Sequence, residues 1–114
     1  MINETVIAVL RASLSDDGSI IRQLISLYAK DSPRLLTDAA AALDRQDAAM
    51  LKRAAHSLKS TSSSMGATTA AEAAAELEQL SVQNDLAQAA PVLQRLKLEV
   101  NTAIAELSRM TFGA

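Results

Sequence analysis

His56 is the single histidine of this 114-residue chain and stands in the segment Ala55-His56-Ser57-Leu58-Lys59-Ser60. On a helix, at about 100° per residue, Leu51, Ala55, Leu58, Ser62 and Met65 fall on one stripe, and His56 lies roughly 140–160° from Leu51 and Leu58. Lys52, Arg53, Lys59, Ser60 and Ser63 cluster within about 60° of the imidazole. The apolar stripe reads as the buried side, so the imidazole stands in water on a face of basic and small residues. A neutral imidazole has one protonated nitrogen and one with a free lone pair, and the latter is a nucleophile able to carry a phosphoryl group as a phosphoramidate. Lys59 faces the same side, where its ammonium can offset the charge of an incoming phosphoryl group. Ser60 follows one turn after the histidine, and its small side chain leaves room for a partner to approach in line. The hydroxyl run Ser57, Ser60, Thr61, Ser62, Ser63 and Ser64 has no base other than His56. It reads as small residues near a helix end, some buried and some lining a docking surface.

Composition narrows the classes of function. The absence of cysteine excludes disulfides and thiolate metal sites and fits a reducing compartment, and one histidine excludes a multi-histidine metal site, so no metal ligands are assigned. The three glycines, at 18, 66 and 113, form no nucleotide-cradling loop, and no acidic cluster stands out to hold Mg2+, so ATP is not the expected phosphoryl donor. A net charge of −2 and two aromatic residues argue against nucleic-acid binding. No apolar run approaches the roughly 20 residues that span a bilayer, and the first residues contain Glu4 and no basic leader, so no membrane insertion is expected and the chain reads as cytoplasmic.

The elements that must position His56 are helical. With 49% hydrophobic but only 2% aromatic residues, the chain reads as one domain over 1–114, built from closely spaced helices rich in alanine and leucine. Helical periodicity predicts a short helix over Glu4–Leu14, stopped by Ser15-Asp16-Asp17-Gly18, which also offer caps to the next. A second helix starts near Ser19, with apolar positions Ile20, Leu24, Leu27 and Tyr28, then Leu35, Leu36, Ala39 and Leu43. Pro33, preceded by Asp31-Ser32, predicts a break, with a kinked continuous helix as the alternative. After a turn at Asp44–Asp47, the histidine-bearing helix spans about Ala48–Met65 and ends at Gly66. Thr68 or Thr69 is expected to cap a helix over Ala70–Ser81, whose alanines allow close approach. Beyond Gln83-Asn84-Asp85, Leu86, Ala89, Leu93, Leu96, Val100, Ala103, Leu107 and Met110 form a bundle seam, with Pro91 near its start and Asp85 or Asn84 as a cap. The fold expected is all-α: an antiparallel four-helix bundle with an additional short N-terminal helix packed across one end.

Ala55, His56, Leu58, Lys59, then Gly66-Ala67 ten residues after the histidine and Leu77-Glu78 on the next helix, resemble the signature of histidine-containing phosphotransfer (HPt) domains. Ser60 stands where that family most often has glycine, and Tyr28 where a phenylalanine often precedes the proline. The Tyr28–Leu36 region and the last helix extend the resemblance over nearly the whole chain. The resemblance implies a phosphorelay intermediate of two-component signalling, with no kinase activity of its own, which exchanges a phosphoryl group between His56 and receiver-domain aspartates. It implies that Glu78 accepts a hydrogen bond from Nδ1 and orients the ring, leaving Nε2 to carry phosphate. It also implies that Mg2+ resides on the receiver, with no cofactor bound by this chain. The expected partner is a receiver domain of a hybrid sensor kinase or response regulator, met by Lys52, Arg53, Ser57, Ser60 and Ser63 on a monomeric carrier. That carrier is either free or the C-terminal domain of a membrane-bound hybrid kinase. An HPt-like module that docks such domains without transfer, and a purely structural bundle, are the alternatives.

Overall fold

The computed structural model describes residues 2–14 and 18–110, and among these residues there are five helices. They are α1 (Glu4–Leu14), α2 (Ser19–Asp44), α3 (Ala48–Ser64), α4 (Thr68–Val82) and α5 (Leu86–Arg109). Helices α2 to α5 form a four-helix bundle: α3 packs on α2 and α4, α5 closes the ring against α4 and α2, and α1 lies against α2. The core runs along the bundle through Ile21, Leu51, Leu58, Leu77, Leu96, Val100 and Leu107. Alanines fill much of the remaining interior, including Ala39, Ala42, Ala55, Ala70, Ala74 and Ala89, each with no exposed surface. With so many methyl groups at the contacts, helix axes can approach closely.

The three connections of the bundle share one closing motif. At each, the residue after the turn bonds back five positions: Asp47 N–H to the Ala42 carbonyl at 2.8 Å, Ala67 to Ser62 at 2.8 Å and Asp85 to Leu80 at 2.9 Å. The residue before it is left-handed in every case, with φ of 55° at Gln46, 71° at Gly66 and 56° at Asn84. This is the Schellman arrangement, which pairs helix-end carbonyls and reverses the chain within three residues. Two of the connections hand over directly to a cap. Asp47 Oδ1 accepts from Met50 N–H at 3.1 Å and Asp85 Oδ1 from Gln88 N–H at 3.3 Å.

Several expectations are corrected. Pro33 does not break α2, which runs through it for 26 residues. Proline removes one N–H from the ladder, but the buried positions Ile21, Ile25, Tyr28, Ser32, Leu36, Ala39 and Ala42 stay in helical phase on both sides. Burying that continuous stripe outweighs one lost hydrogen bond. Asp31 and Ser32 therefore cap nothing, and Ser32 Oγ is buried without a hydrogen-bond partner. The buried stripe of α2 is also rotated from the one expected, since Ile20 and Leu27 are exposed. In α4 neither threonine caps. Ala67 occupies the cap position, and Thr69 Oγ1 instead donates to Glu99 Oε2 on α5 at 2.6 Å. Pro91 lies a full turn inside α5, which starts at Leu86 behind the Asp85 cap. The expected caps Ser15, Asp16 and Asp17 lie outside the described residues, and Gly18 stands at the α2 cap position.

Tyr28 explains a departure from the family pattern noted above. Its hydroxyl meets Ser62 Oγ at 2.7 Å inside the α2–α3 contact, and burial raises the phenol pKa above its usual value. The two hydroxyls satisfy each other where water does not reach. Tyr28→Phe is therefore expected to leave Ser62 Oγ unpaired and to cost about 1–3 kcal/mol. A urea-denaturation midpoint unchanged from wild type would show that the pair contributes nothing.

Candidate functional site

The α3 stripe of Leu51, Ala55, Leu58, Ser62 and Met65 is buried throughout, which turns His56 outward with 62% of its side chain exposed. On α4 the same periodicity buries Ala70, Ala73, Ala74 and Leu77 and leaves Glu78 at the edge of the contact, its side chain 16% exposed. Ala55 on α3 and Ala74, one turn before Glu78, are both fully covered. Small residues at this crossing bring the carboxylate within reach of the imidazole.

His56 Nδ1 lies 2.8 Å from Glu78 Oε2, and Lys59 Nζ donates to Glu78 Oε1 at 2.6 Å. Each carboxylate oxygen thus has its own partner. An ionised carboxylate only accepts, so Nδ1 is the donor in the His56–Glu78 contact, and the neutral ring in this tautomer has its lone pair on Nε2. The Lys59 ammonium is the largest influence holding the Glu78 carboxyl below the usual carboxylate range; partial burial opposes it, and the imidazole contact adds to it. Because this folded-state value is lowered, the pairing stabilises the fold above the ordinary carboxylate pKa and is lost as the pH falls through the lowered one. Glu78→Ala is expected to release the ring and slow nucleophilic reaction of Nε2 by about 10–100-fold, a milder loss than in a catalytic triad because the imidazole remains exposed. Kinetics of His56 phosphorylation read this, and an unchanged rate would remove Glu78 from the site.

Of the other surface residues singled out in the sequence, Lys52, Arg53, Ser60 and Ser63 are exposed and Ser57 is half-buried. Ser60 among them lines a groove. A groove of about 280 Å3 runs between α2 and α3, lined by Leu24, Leu27, Tyr28, Ser60, Thr61 and Met65, with Asp31, Ser32 and Ser64 at its margins. Ser57 and Ser63 do not line it. Leu24 and Leu27 line this groove although helical spacing alone placed them on the apolar row of α2: Leu27 is exposed, and Leu24 is half-buried against the core. Their signal was present, because Ile20, Leu24 and Leu27 form a second apolar row beside Ile21, Ile25 and Tyr28, and one helix face cannot bury both.

A family model for the Hpt domain matches residues 23–109, a span that holds the His56–Glu78–Lys59 cluster and all four bundle helices in whole or large part. The chain belongs to the Hpt domain family. The crystal structure of histidine-containing phosphotransfer protein B (HptB) from Pseudomonas aeruginosa PAO1 superposes on this Hpt domain with a TM-score of 0.86. That protein is 28% identical in sequence, and the match covers 95% of this chain and 91% of the other. No match was found among curated proteins. Membership assigns the Hpt domain a role in histidine phosphotransfer within two-component signalling. Among its described residues, no helix is long and apolar enough to cross a membrane.

Proposed function

We propose that this Hpt domain is a phosphorelay intermediate whose phosphoryl group travels on Nε2 of His56. The observation that carries the reading is an imidazole 62% exposed whose Nδ1 is already engaged by Glu78 at 2.8 Å. In the transfer, the Nε2 lone pair attacks the phosphorus of a receiver's aspartyl phosphate, the N–P bond forms, and the O–P bond breaks to release the aspartate carboxylate. The phosphorylated ring keeps its Nδ1 proton and becomes cationic. Glu78 stabilises that cation as the acid of a catalytic triad stabilises an imidazolium, while Lys59 keeps Glu78 ionised and adds positive charge nearby. Mg2+ and most of the transition-state stabilisation belong to the receiver, and reversal of the same steps passes the group to a second receiver.

The docking surface in this reading is the α2–α3 groove beside the histidine. Ile20 and Leu27 are 39% and 53% exposed, and the groove carries this apolar row to Ser60, one turn beyond His56. An apolar surface next to a reactive group marks a partner contact better than the basic residues alone. The bundle is read as antiparallel, with α1 across one end, and the three-residue connections support that arrangement. The carrier is read as a cytoplasmic monomer that meets a receiver of a hybrid kinase or response regulator.

The test is incubation with a receiver domain carrying a labelled aspartyl phosphate, followed by chemical characterisation of the product. Label that is acid-labile, base-stable and mapped to the peptide containing His56 is the expected result. A wild-type domain that binds a receiver yet takes no label would instead support the docking-module alternative.

A further inference from the structure

Lys59 is already bonded to Glu78 Oε1 at 2.6 Å, so its positive charge is offset by the carboxylate before any phosphoryl group arrives. A phosphoryl group on Nε2 brings close to two negative charges, and compensation must come from elsewhere on the exposed face. Neither Lys52 nor Arg53 has an ion-pair partner among the described residues. They precede His56 by four and three residues, spacings at which helical side chains are surface neighbours. Long helical side chains lean toward the N-terminus, so the imidazole covers the turn that carries these two cations.

Helix geometry separates the two. Taking His56 as zero and about 100° per residue, Lys59 and Lys52 lie near −60° and −40°, whereas Arg53 and Ser60 lie near +60° and +40°. Glu78 bonds Lys59, which places α4 on the negative side, and Ser60 lines the groove against α2, which places α2 on the positive side. With Nδ1 held toward α4, Nε2 faces away from it, toward the side that Arg53 and Ser60 flank one turn before and one turn after.

Resting on the phosphorelay reading, we propose that Arg53 is the side chain of this domain that binds the phosphoryl group on His56. Lys59 is a positioning residue that acts through Glu78. The planar guanidinium fits two phosphoryl oxygens at once, which an ammonium cannot do. Charged groups around this space include Lys52, Arg53 and Lys59 on α3, Glu78 on α4 and, at the groove margin on α2, Asp31, which pairs with Arg34 at 4.0 Å.

The experiment uses potassium phosphoramidate, a small donor that needs no receiver. Its P–N bond breaks as ammonia leaves with a proton, and the P–Nε2 bond forms on His56. Titration of the phosphoryl group by 31P NMR then reads its neighbours directly. Arg53→Ala is expected to raise the phosphoryl pKa by about 0.5 unit, the scale of an exposed ion pair, and Arg53→Lys to restore part of it. Lys59→Met is expected to raise it less, and to change the 15N signature of the unphosphorylated ring by relaxing the Nδ1–H tautomer. A titration in Arg53→Ala that matches wild type, or a larger shift in Lys59→Met, overturns the assignment. Wild-type protein that takes no phosphoryl group on His56 overturns the phosphorelay reading and this inference with it.

Discussion

His56→Gln is expected to take no acid-labile label from a phosphorylated receiver, a fall of at least about 10^3-fold that reaches the detection limit. The substitution isolates one property. A glutamine amide can still donate to Glu78, and Glu78 keeps its bond from Lys59. The lone pair of Nε2 is all that disappears, and no other side chain in the cluster offers a nucleophile. The nearby hydroxyls are not substitutes: Thr61 and Ser64 donate to backbone carbonyls one turn back, at 2.9 and 3.0 Å, and Ser62 pairs with Tyr28. Because the His56 side chain is 62% exposed, its replacement is expected to change stability by less than about 0.5 kcal/mol. Intact thermal unfolding together with lost label separates chemistry from folding, and labelling of His56→Gln at the wild-type rate would refute the assignment of the phosphoacceptor.

The site was legible in the sequence to the extent that helical periodicity could place it. Five residues at spacings of 4, 3, 4 and 3 defined the buried stripe of α3, and all five are buried. The exposure of His56 followed by subtraction. Its contact with Glu78 was not derivable from periodicity, since it depends on the rotation of α4 against α3, and came only through the family signature. The bond between Lys59 and Glu78 was missed for a related reason. From α3 alone Lys59 is a free cation near the histidine; only the second helix shows its charge engaged.

The errors on α2 have a different origin. Local rules at Pro33 favoured a break, with Asp31-Ser32 as a cap, but local rules weigh one hydrogen bond and say nothing of a core stripe that continues beyond the proline. The same helix carries two adjacent apolar rows. Choosing between them needs knowledge of where α3 and α5 sit, and the row left outside is the one beside the histidine. Ile20 and Leu27, the exposed members of that second row, belong to the docking surface in the function proposed above.

Gly66→Ala is expected to destabilise the domain by about 3–5 kcal/mol, a large share of the 5–15 kcal/mol typical of a folded domain. Two independent effects add. The φ of 71° is left-handed, which costs a non-glycine residue about 1–2 kcal/mol. The added Cβ would also lie 2.8 Å from the backbone oxygen of Asn3, and backbone cannot yield as a side-chain tip can. That segment is held to the loop by Asn3 N–H donating to the Gly66 carbonyl at 2.6 Å and by the bridge between Ile2 and Ala67. Pushing it away exposes the buried Ile2 side chain, a loss of about 1.5–3 kcal/mol. The two effects can be separated by a double-mutant cycle in which the chain up to Asn3 is removed. In the shortened protein Gly66→Ala should cost little more than the backbone strain, because the Asn3 backbone is gone and only the Val6 Cβ, at 3.3 Å, remains close to the added Cβ. Equal costs in the two backgrounds would show that the close approach contributes nothing. A coupling of about 2 kcal/mol would give the Gly66-Ala67 part of the family signature a structural meaning: it seats the N-terminal segment on the end of the histidine-bearing helix and takes no part in phosphoryl chemistry.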